Sequence, residues 1–115
     1  MVRHIIFFRN YFYEFFNAQT SKVQIKIDYV LDMVAFADRI PGQYFKHLEG
    51  TSGLYEIRVQ HGNNAYRIFC CFDEGKVVVL FNGFTKKSDK TPKKELERAE
   101  RIKQEYFAEK LKNTK

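Results

Sequence analysis

The sequence predicts an α+β fold made of an N-terminal strand and helical pair, an antiparallel sheet and a C-terminal helix. From Asn10 to Val34 the apolar residues recur every three or four positions, as on one face of a helix, whereas after Gly53 apolar and polar residues alternate, as in a strand. A chain of 115 residues, 44% of them hydrophobic, can bury one modest core. We therefore predict a single domain over residues 1–115.

The N-terminal elements are a strand and two helices. Residues 3–8 (RHIIFF) form the strand, and from Asn10 one helix face carries Tyr11, Phe12, Phe15 and Phe16. Thr20 or Ser21 caps a second helix, whose apolar stripe is Val23, Ile27, Val30, Leu31 and Val34. Pro41-Gly42 ends this helix. We assign the aromatic stripe to the core rather than to a cofactor site.

A three-strand meander and a final helix complete the predicted fold. The strands lie at 55–60, 65–72 and 76–82, joined by the turns HGNN (61–64) and Glu74-Gly75. Because the turns are short, neighbouring strands run antiparallel. Thr91-Pro92 resembles a helix start, and the apolar stripe of that helix is Leu96, Ala99, Ile102 and Tyr106.

Positive charge is concentrated in the last third of the chain. The formal net charge is +6, and residues 82–115 hold 11 Lys/Arg against 6 Asp/Glu, so this segment contributes +5 and the remainder +1. Five lysines crowd into nine positions, namely Lys86, Lys87, Lys90, Lys93 and Lys94. Such a segment indicates a polyanionic partner: nucleic acid, a membrane surface or an acidic protein. The alternative is a solvated, lysine-rich tail.

Several other functional classes lack support in the sequence. Cys70 and Cys71 are adjacent on a predicted strand, so they face opposite sides, and no Cys/His spacing suggests a disulfide framework or zinc site. The apolar N-terminus is interrupted by Arg3, Arg9 and Glu14, which argues against a signal peptide or a membrane-spanning helix. We expect a cytoplasmic protein without metal, cofactor or membrane partner.

The turn lengths predict a row of polar side chains across the meander. A four-residue HGNN loop places Arg58 directly opposite Arg67, and a two-residue Glu74-Gly75 loop places Arg67 opposite Asn82. Facing arginines destabilise a sheet unless an anion lies between them, and arginine is well shaped to bind phosphate. We predict a phosphate site there, beside Lys86 and Lys87. Alternatively, each arginine splays outward, or Arg58 pairs with Glu56, Asp73 or Glu74.

Three segments resemble the RelE/ParE toxin superfamily, and most closely its phage-derived HigB-like branch. They are GLYEIRV (53–59), YRIFCCF (66–72) and VVVLFNGFTKKSDKTPKKELERA (77–99). The resemblance is nearly continuous from Lys46 to Arg101. It implies a RelE-like fold and the toxin half of a type II toxin–antitoxin pair.

The resemblance also implies an activity and partners. Many such toxins enter the ribosome and cut mRNA without a metal: the 2′-hydroxyl attacks the neighbouring phosphate and leaves a 5′-hydroxyl end. The expected partners are the ribosome, mRNA and a cognate antitoxin, often a helix-turn-helix protein. Two alternatives are a ParE-like toxin that binds DNA gyrase and cuts no RNA, and an inactive RNA- or protein-binding module.

Site roles follow from the same resemblance. Arg67 matches the most regular catalytic arginine of the superfamily and is expected to bind the scissile phosphate, with Arg58 sharing that role. Of Lys86 and Lys87, one is expected to contact the phosphate or assist the leaving 5′-oxygen, and the other the RNA backbone. The remaining predicted RNA contacts are Asn82, Lys90, Lys93 and Lys94.

The general acid and base are not identified by the sequence. Several relatives carry a lysine at the position of Glu56 and a tyrosine or histidine near the C-terminus as acid or base, for which the tail YFAEKLKNTK (106–115) shows no clear substitute. Glu56 is either the general base or an ion-pair partner of Arg58. His47 and His61 are the other titratable candidates.

Overall fold

A computed structural model describes residues 1–113 and confirms the predicted α+β fold. The elements in chain order are β1 (His4–Phe7), α1 (Tyr11–Asn17), α2 (Ser21–Phe36), β2 (Phe45–His47), β3 (Leu54–His61), β4 (Asn64–Asp73), β5 (Val77–Lys86) and α3 (Lys93–Asn113). The five strands form one sheet in the order β1-β5-β4-β3-β2. β1 runs parallel to β5, and the other neighbours are antiparallel, as predicted for the meander. β2 was not predicted, because three residues are too few to show a period of two.

The helices begin where the sequence indicates. Thr20 is the N-cap of α2, and its hydroxyl oxygen accepts a hydrogen bond from the Val23 amide at 3.4 Å. α3 follows Pro92 directly, with Glu95 in its first turn, where a negative charge complements the helix dipole. None of the helices in residues 1–113 combines the length and apolarity needed to cross a membrane.

The sheet separates two hydrophobic cores. On one face, α1 and α2 pack against buried β-strand residues that include Ile57 and Ile68. On the other face, α3 contributes Ala99 and Ile102 to a cluster with Phe69 and Phe81. The adjacent cysteines are divided between the cores, as their positions on a strand predict: Cys70 lies in the first and Cys71 in the second.

Both thiols therefore serve the protein as small apolar groups. Burial raises the pKa of Cys70 well above its ordinary value and that of Cys71 to about 11. A buried, protonated thiol is a poor nucleophile.

The predicted pairing of Arg67 with Asn82 is wrong. β4 and β5 are joined by three residues, 74–76, rather than two, because Asp73 pairs with Val77. A bulge between Ile68 and Cys70 adds a second offset of one residue, so Arg67 lies opposite Phe84. The two offsets sum to two residues, and side chains alternate with a period of two, so Asn82 keeps the α3 face of the sheet.

Asp73 fastens the end of β4 to α3. Its carboxylate accepts hydrogen bonds from the Tyr106 hydroxyl at 2.6 Å and from the Lys110 ammonium at 2.7 Å. Burial acts to raise the pKa of Asp73, but the two hydrogen bonds outweigh it and the net pKa is lowered. Burial, together with the same hydrogen bond, raises the pKa of Tyr106 to about 12.

Asp73→Asn should weaken the acid dependence of stability. Because the pKa of Asp73 is lower in the folded state, its contribution is present above the unfolded pKa and is lost as the pH falls through the folded one. Wild type should therefore lose more free energy of unfolding than the variant between about pH 6 and pH 3. Denaturant unfolding followed by circular dichroism measures both curves. If the free energies of unfolding of wild type and variant change in parallel with pH, Asp73 does not contribute to the loss of stability in acid.

Gly83 leaves room for α1 to pack directly on the sheet. A Cβ at this position would lie 2.5 Å from Cδ2 of the Phe15 ring, closer than carbon atoms approach. The backbone of Gly83 does not require glycine, since its φ is not positive. Space for the Phe15 ring is the reason for this glycine in the sequence NGF.

Gly83→Ala should destabilise the fold by about 1–3 kcal/mol, because the added methyl group displaces the Phe15 ring. Gly42→Ala is the matched control, since a Cβ there meets no atom within 4 Å. Chemical denaturation of both variants and wild type gives the comparison. Equal free energies of unfolding for Gly83→Ala and wild type would contradict the packing argument.

Candidate functional site

Arg58 and Arg67 lie opposite each other on β3 and β4, as predicted. The Arg58 amide donates to the Tyr44 carbonyl at 2.8 Å, so it points away from β4. The two arginines are therefore a non-hydrogen-bonded pair, the kind whose side chains lie closest together. Both side chains belong to the α3 face of the sheet, together with Glu56 two residues before Arg58.

Glu56 lies between the two guanidinium groups. Its Oε2 is 3.4 Å from Nε of Arg58 and 3.6 Å from Nε of Arg67. The side chain is 4% exposed, and Oε1 has no hydrogen-bond partner among residues 1–113. Of the two roles that the sequence left open, the ion pair with Arg58 is therefore formed, and the same carboxylate also serves Arg67. A single negative charge therefore faces two positive charges, which leaves a formal excess of +1.

The Arg67 side chain is largely buried, with only 9% of it exposed. Nη1 donates to the Tyr66 carbonyl at 3.0 Å, while Nε has no hydrogen-bond partner within the described chain, because 3.6 Å exceeds hydrogen-bond length. Burial lowers the pKa of Arg67; the charge of Glu56 opposes that effect and the charge of Arg58 adds to it. An additional anion beside this guanidinium would therefore stabilise its positive charge.

The predicted arginines and the first two lysines line one open concavity of about 450 Å³, which we call the arginine site. Lys86 reaches it because Ala65 pairs with Lys86 across β4 and β5. The lining residues are Arg58, Ala65, Arg67, Lys86, Lys87, Ser88 and Asp89. Four cationic side chains and the two carboxylates of Glu56 and Asp89 give a formal charge of 4 − 2 = +2.

The other predicted site residues lie elsewhere. Asn82 is 1% exposed, and its amide nitrogen is 3.4 Å from the Glu95 carbonyl and 3.3 Å from its carboxylate. Asn82 therefore joins β5 to the start of α3. Three exposed lysines do not line the arginine site: Lys90, Lys93 and Lys94.

The candidate bases also differ from expectation. His47 stands on the short edge strand, 5.1 Å from the Tyr55 ring, and neither it nor His61 lines the arginine site. Asp89 does line it, although it was not among the residues predicted from the sequence. Its position two residues after Lys87 was the available signal. Ser88 donates to the Lys90 carbonyl at 3.1 Å, which helps to shape this loop.

The site chemistry fits an anion better than a metal ion. Among the described residues, no group of three or more His, Cys, Asp or Glu side chains could hold a metal. Two guanidiniums and two ammonium groups instead offer many hydrogen-bond donors to one ligand. Phosphate oxygens are the natural acceptors for such a set.

Comparison with known proteins adds a family and a fold. The family model of phage-derived Gp49-like proteins matches residues 14–104. Among solved structures, the archaeal RelE–RelB complex from Pyrococcus horikoshii matches with a TM-score of 0.54 and 16% identity, covering 72% of this chain and 93% of that chain. At this identity the match shows a shared fold, which confirms the predicted RelE-like architecture. No curated protein matches the sequence.

Inorganic phosphate should stabilise the protein through the arginine site. Binding to the folded state alone raises the melting temperature, by about 3–6 °C for each kcal/mol in a chain of this size. The shift should exceed that of sodium chloride at equal ionic strength, and Arg58→Ala should reduce it. Arg101→Ala, an exposed cation on α3, is the control and should keep the full shift. Equal shifts in both variants would place phosphate outside the arginine site.

Proposed function

The chain belongs to the phage-derived Gp49-like family within the RelE/ParE superfamily, and on this premise we propose that it is the toxin of a type II toxin–antitoxin pair. We further propose that it is a ribosome-dependent endoribonuclease that cuts mRNA and so inhibits translation. The single observation that supports cleavage is the arginine site, where Arg58, Arg67, Lys86 and Lys87 line one concavity.

The proposed reaction needs charge stabilisation more than covalent participation by the protein. The 2′-hydroxyl oxygen of one nucleotide forms a bond to the adjacent phosphorus as the bond to the 5′-oxygen breaks. The products are a 2′,3′-cyclic phosphate and a 5′-hydroxyl, and the proton lost by the 2′-hydroxyl is balanced by the one gained at the 5′-oxygen. Negative charge grows on the non-bridging oxygens, and preorganised cations stabilise it.

The arginines are the residues we assign to that charge. Arg67 and Arg58 bind the non-bridging oxygens, because they form a close pair and share one carboxylate. Lys86 and Lys87 border the same space from β5 and the following loop, where one reaches the leaving oxygen and the other the RNA backbone. No step requires a metal ion.

The two carboxylates have different proposed roles. Glu56 is buried and ion-paired, so it positions the guanidiniums rather than touching the substrate. Asp89 lines the open concavity, so it is the carboxylate better placed to accept the 2′-hydroxyl proton.

The surrounding charge suits the proposed partners. Lys90, Lys93 and Lys94 are exposed and follow the lining residue Asp89 in the chain, so they can contact ribosomal RNA phosphates. An antitoxin would neutralise the toxin by covering this basic surface or by keeping it away from the ribosome. The archaeal RelE with this fold was solved in complex with RelB, which is a precedent for such a pairing. A ribosomal target places the activity in the cytoplasm.

Cell-free translation with purified protein tests the proposal. Transcripts cut within translated codons, with 5′-hydroxyl ends and only when ribosomes are present, are the expected result. Intact transcripts with inhibited DNA gyrase would select the ParE-like alternative. If the transcripts stay intact and gyrase stays active, the remaining alternative is an inactive RNA- or protein-binding module.

Arg67→Lys should lower the cleavage rate by about 10²–10³-fold, because lysine keeps the charge but loses the paired donors that grip the phosphate. Arg67→Ala should abolish cleavage. Arg101→Lys is the matched control and should cut normally. Circular dichroism establishes folding, and the lysine variant keeps the test valid if the alanine variant is unstable. A folded Arg67→Lys variant with full activity would remove Arg67 from catalysis.

A further inference from the structure

A second concavity of about 290 Å³ adjoins the arginine pair on the side away from the lysines. The arginine site lies toward β5, whereas this second space lies toward β2 and α2, and both are lined by Arg58 and Arg67. Its other lining residues are Lys26, Gln43, Tyr44, Val59 and Gln60. The cleavage chemistry proposed above uses none of these five residues.

This space exists because the edge strand is short. β2 pairs with β3 only over Tyr55–Ile57, and one further hydrogen bond joins the Arg58 amide to the Tyr44 carbonyl. Beyond Arg58, β3 forms the edge of the sheet as far as the turn. The chain before β2 diverges there, which leaves an opening between Tyr44 and Lys26 of α2.

Three polar side chains that line this opening make no hydrogen bond within residues 1–113: the amides of Gln43 and Gln60 and the hydroxyl of Tyr44. Lys26 has no carboxylate within 4 Å, and its ammonium lies 5.1 Å from the centroid of the Tyr29 ring. Tyr44 is half-buried and packs against the first core, so its ring is held in place. A fixed aromatic ring can stack on a nucleobase, and two free side-chain amides beside it can form hydrogen bonds with the edge of that base.

We propose that this concavity is a base-recognition subsite for the nucleotide that adjoins the scissile phosphate. The inference rests on the proposed ribonuclease function and adds to it the origin of sequence preference. Gln43 and Gln60 hydrogen-bond the base edge, Tyr44 stacks on its face, and Lys26 contacts the adjacent phosphate. The shared arginines connect this subsite to the cleavage point, so a base bound here has its own phosphate linkage at Arg58 and Arg67.

The size and lining of the subsite favour RNA over a peptide. Its volume lies near the lower end of the range for small-molecule sites, about 300–1,000 Å³, which suits one nucleoside. Cations and amides dominate its lining, and Val59 is the one aliphatic residue there. A peptide from an antitoxin would gain little apolar burial in such a space.

The experiment compares cleavage-site preference in cell-free translation. The 5′-hydroxyl ends of cut transcripts are sequenced for wild type, the double variant Gln43→Ala/Gln60→Ala and the control Gln104→Ala. Gln43, Gln60 and Gln104 are all exposed, so folding should survive in each. The double variant should still cut, but the ratio between favoured and disfavoured bases at the cut site should fall by about fivefold or more. The control should keep the wild-type ratio.

Two results would overturn the subsite. One is a double variant that cuts with unchanged base preference, and the other is a folded double variant that loses cutting equally at all sites. Absence of cutting by wild type itself would instead refute the proposed function.

Binding of the four ribonucleoside 5′-monophosphates, followed by NMR on the wild-type protein, tests the subsite independently of cleavage. One base should bind more tightly than the others and shift the amide signals of Gln43, Tyr44 and Gln60. The double variant should lose that preference. Equal binding of all four nucleotides would contradict base recognition, and perturbation by an antitoxin peptide alone would assign the concavity to a protein partner.

Discussion

One buried carboxylate holds a pair of facing arginines on the surface of the sheet. Without Glu56, the narrow Arg58–Arg67 pair would bring two positive charges together with no counter-ion, which destabilises a sheet. With the Glu56 carboxylate present, the two guanidinium groups are held in place, and an excess positive charge remains at the sheet surface. Two lysines extend that positive charge, because Lys86 at the end of β5 and Lys87 in the following loop line the same concavity.

The remaining scaffold serves to place this pair at the sheet surface. α3 covers the sheet face at the β4–β5 end, where Asp73 and Asn82 attach it. The first core, with the Phe15 ring lying over Gly83, supports the opposite face. The arginines therefore rest on a sheet that is packed on both sides, and such support is what a preorganised charge site requires.

A bound anion would reduce the electrostatic cost of this arrangement. Arg67 is largely desolvated, and its Nε lacks a hydrogen-bond partner in the described part of the chain. A buried donor without a partner is unfavourable, so phosphate at the proposed site would supply the acceptor that this donor lacks. Concavities adjoin the arginine pair on both sides, so the proposed RNA strand could continue in either direction.

The sequence by itself determined the element order, the meander, the Arg58–Arg67 pairing and the candidate cations, because each depends on local periodicity or on one short turn. It did not determine the pairing across β4 and β5, where a three-residue connection and a bulge shifted Asn82 away from Arg67. It also left open the partner of Glu56, the burial of Arg67 and the entry of Asp89 into the site. These features depend on how α3, β2 and the lysine loop pack around the sheet, and contacts between segments distant in the chain leave no periodic signal in the sequence.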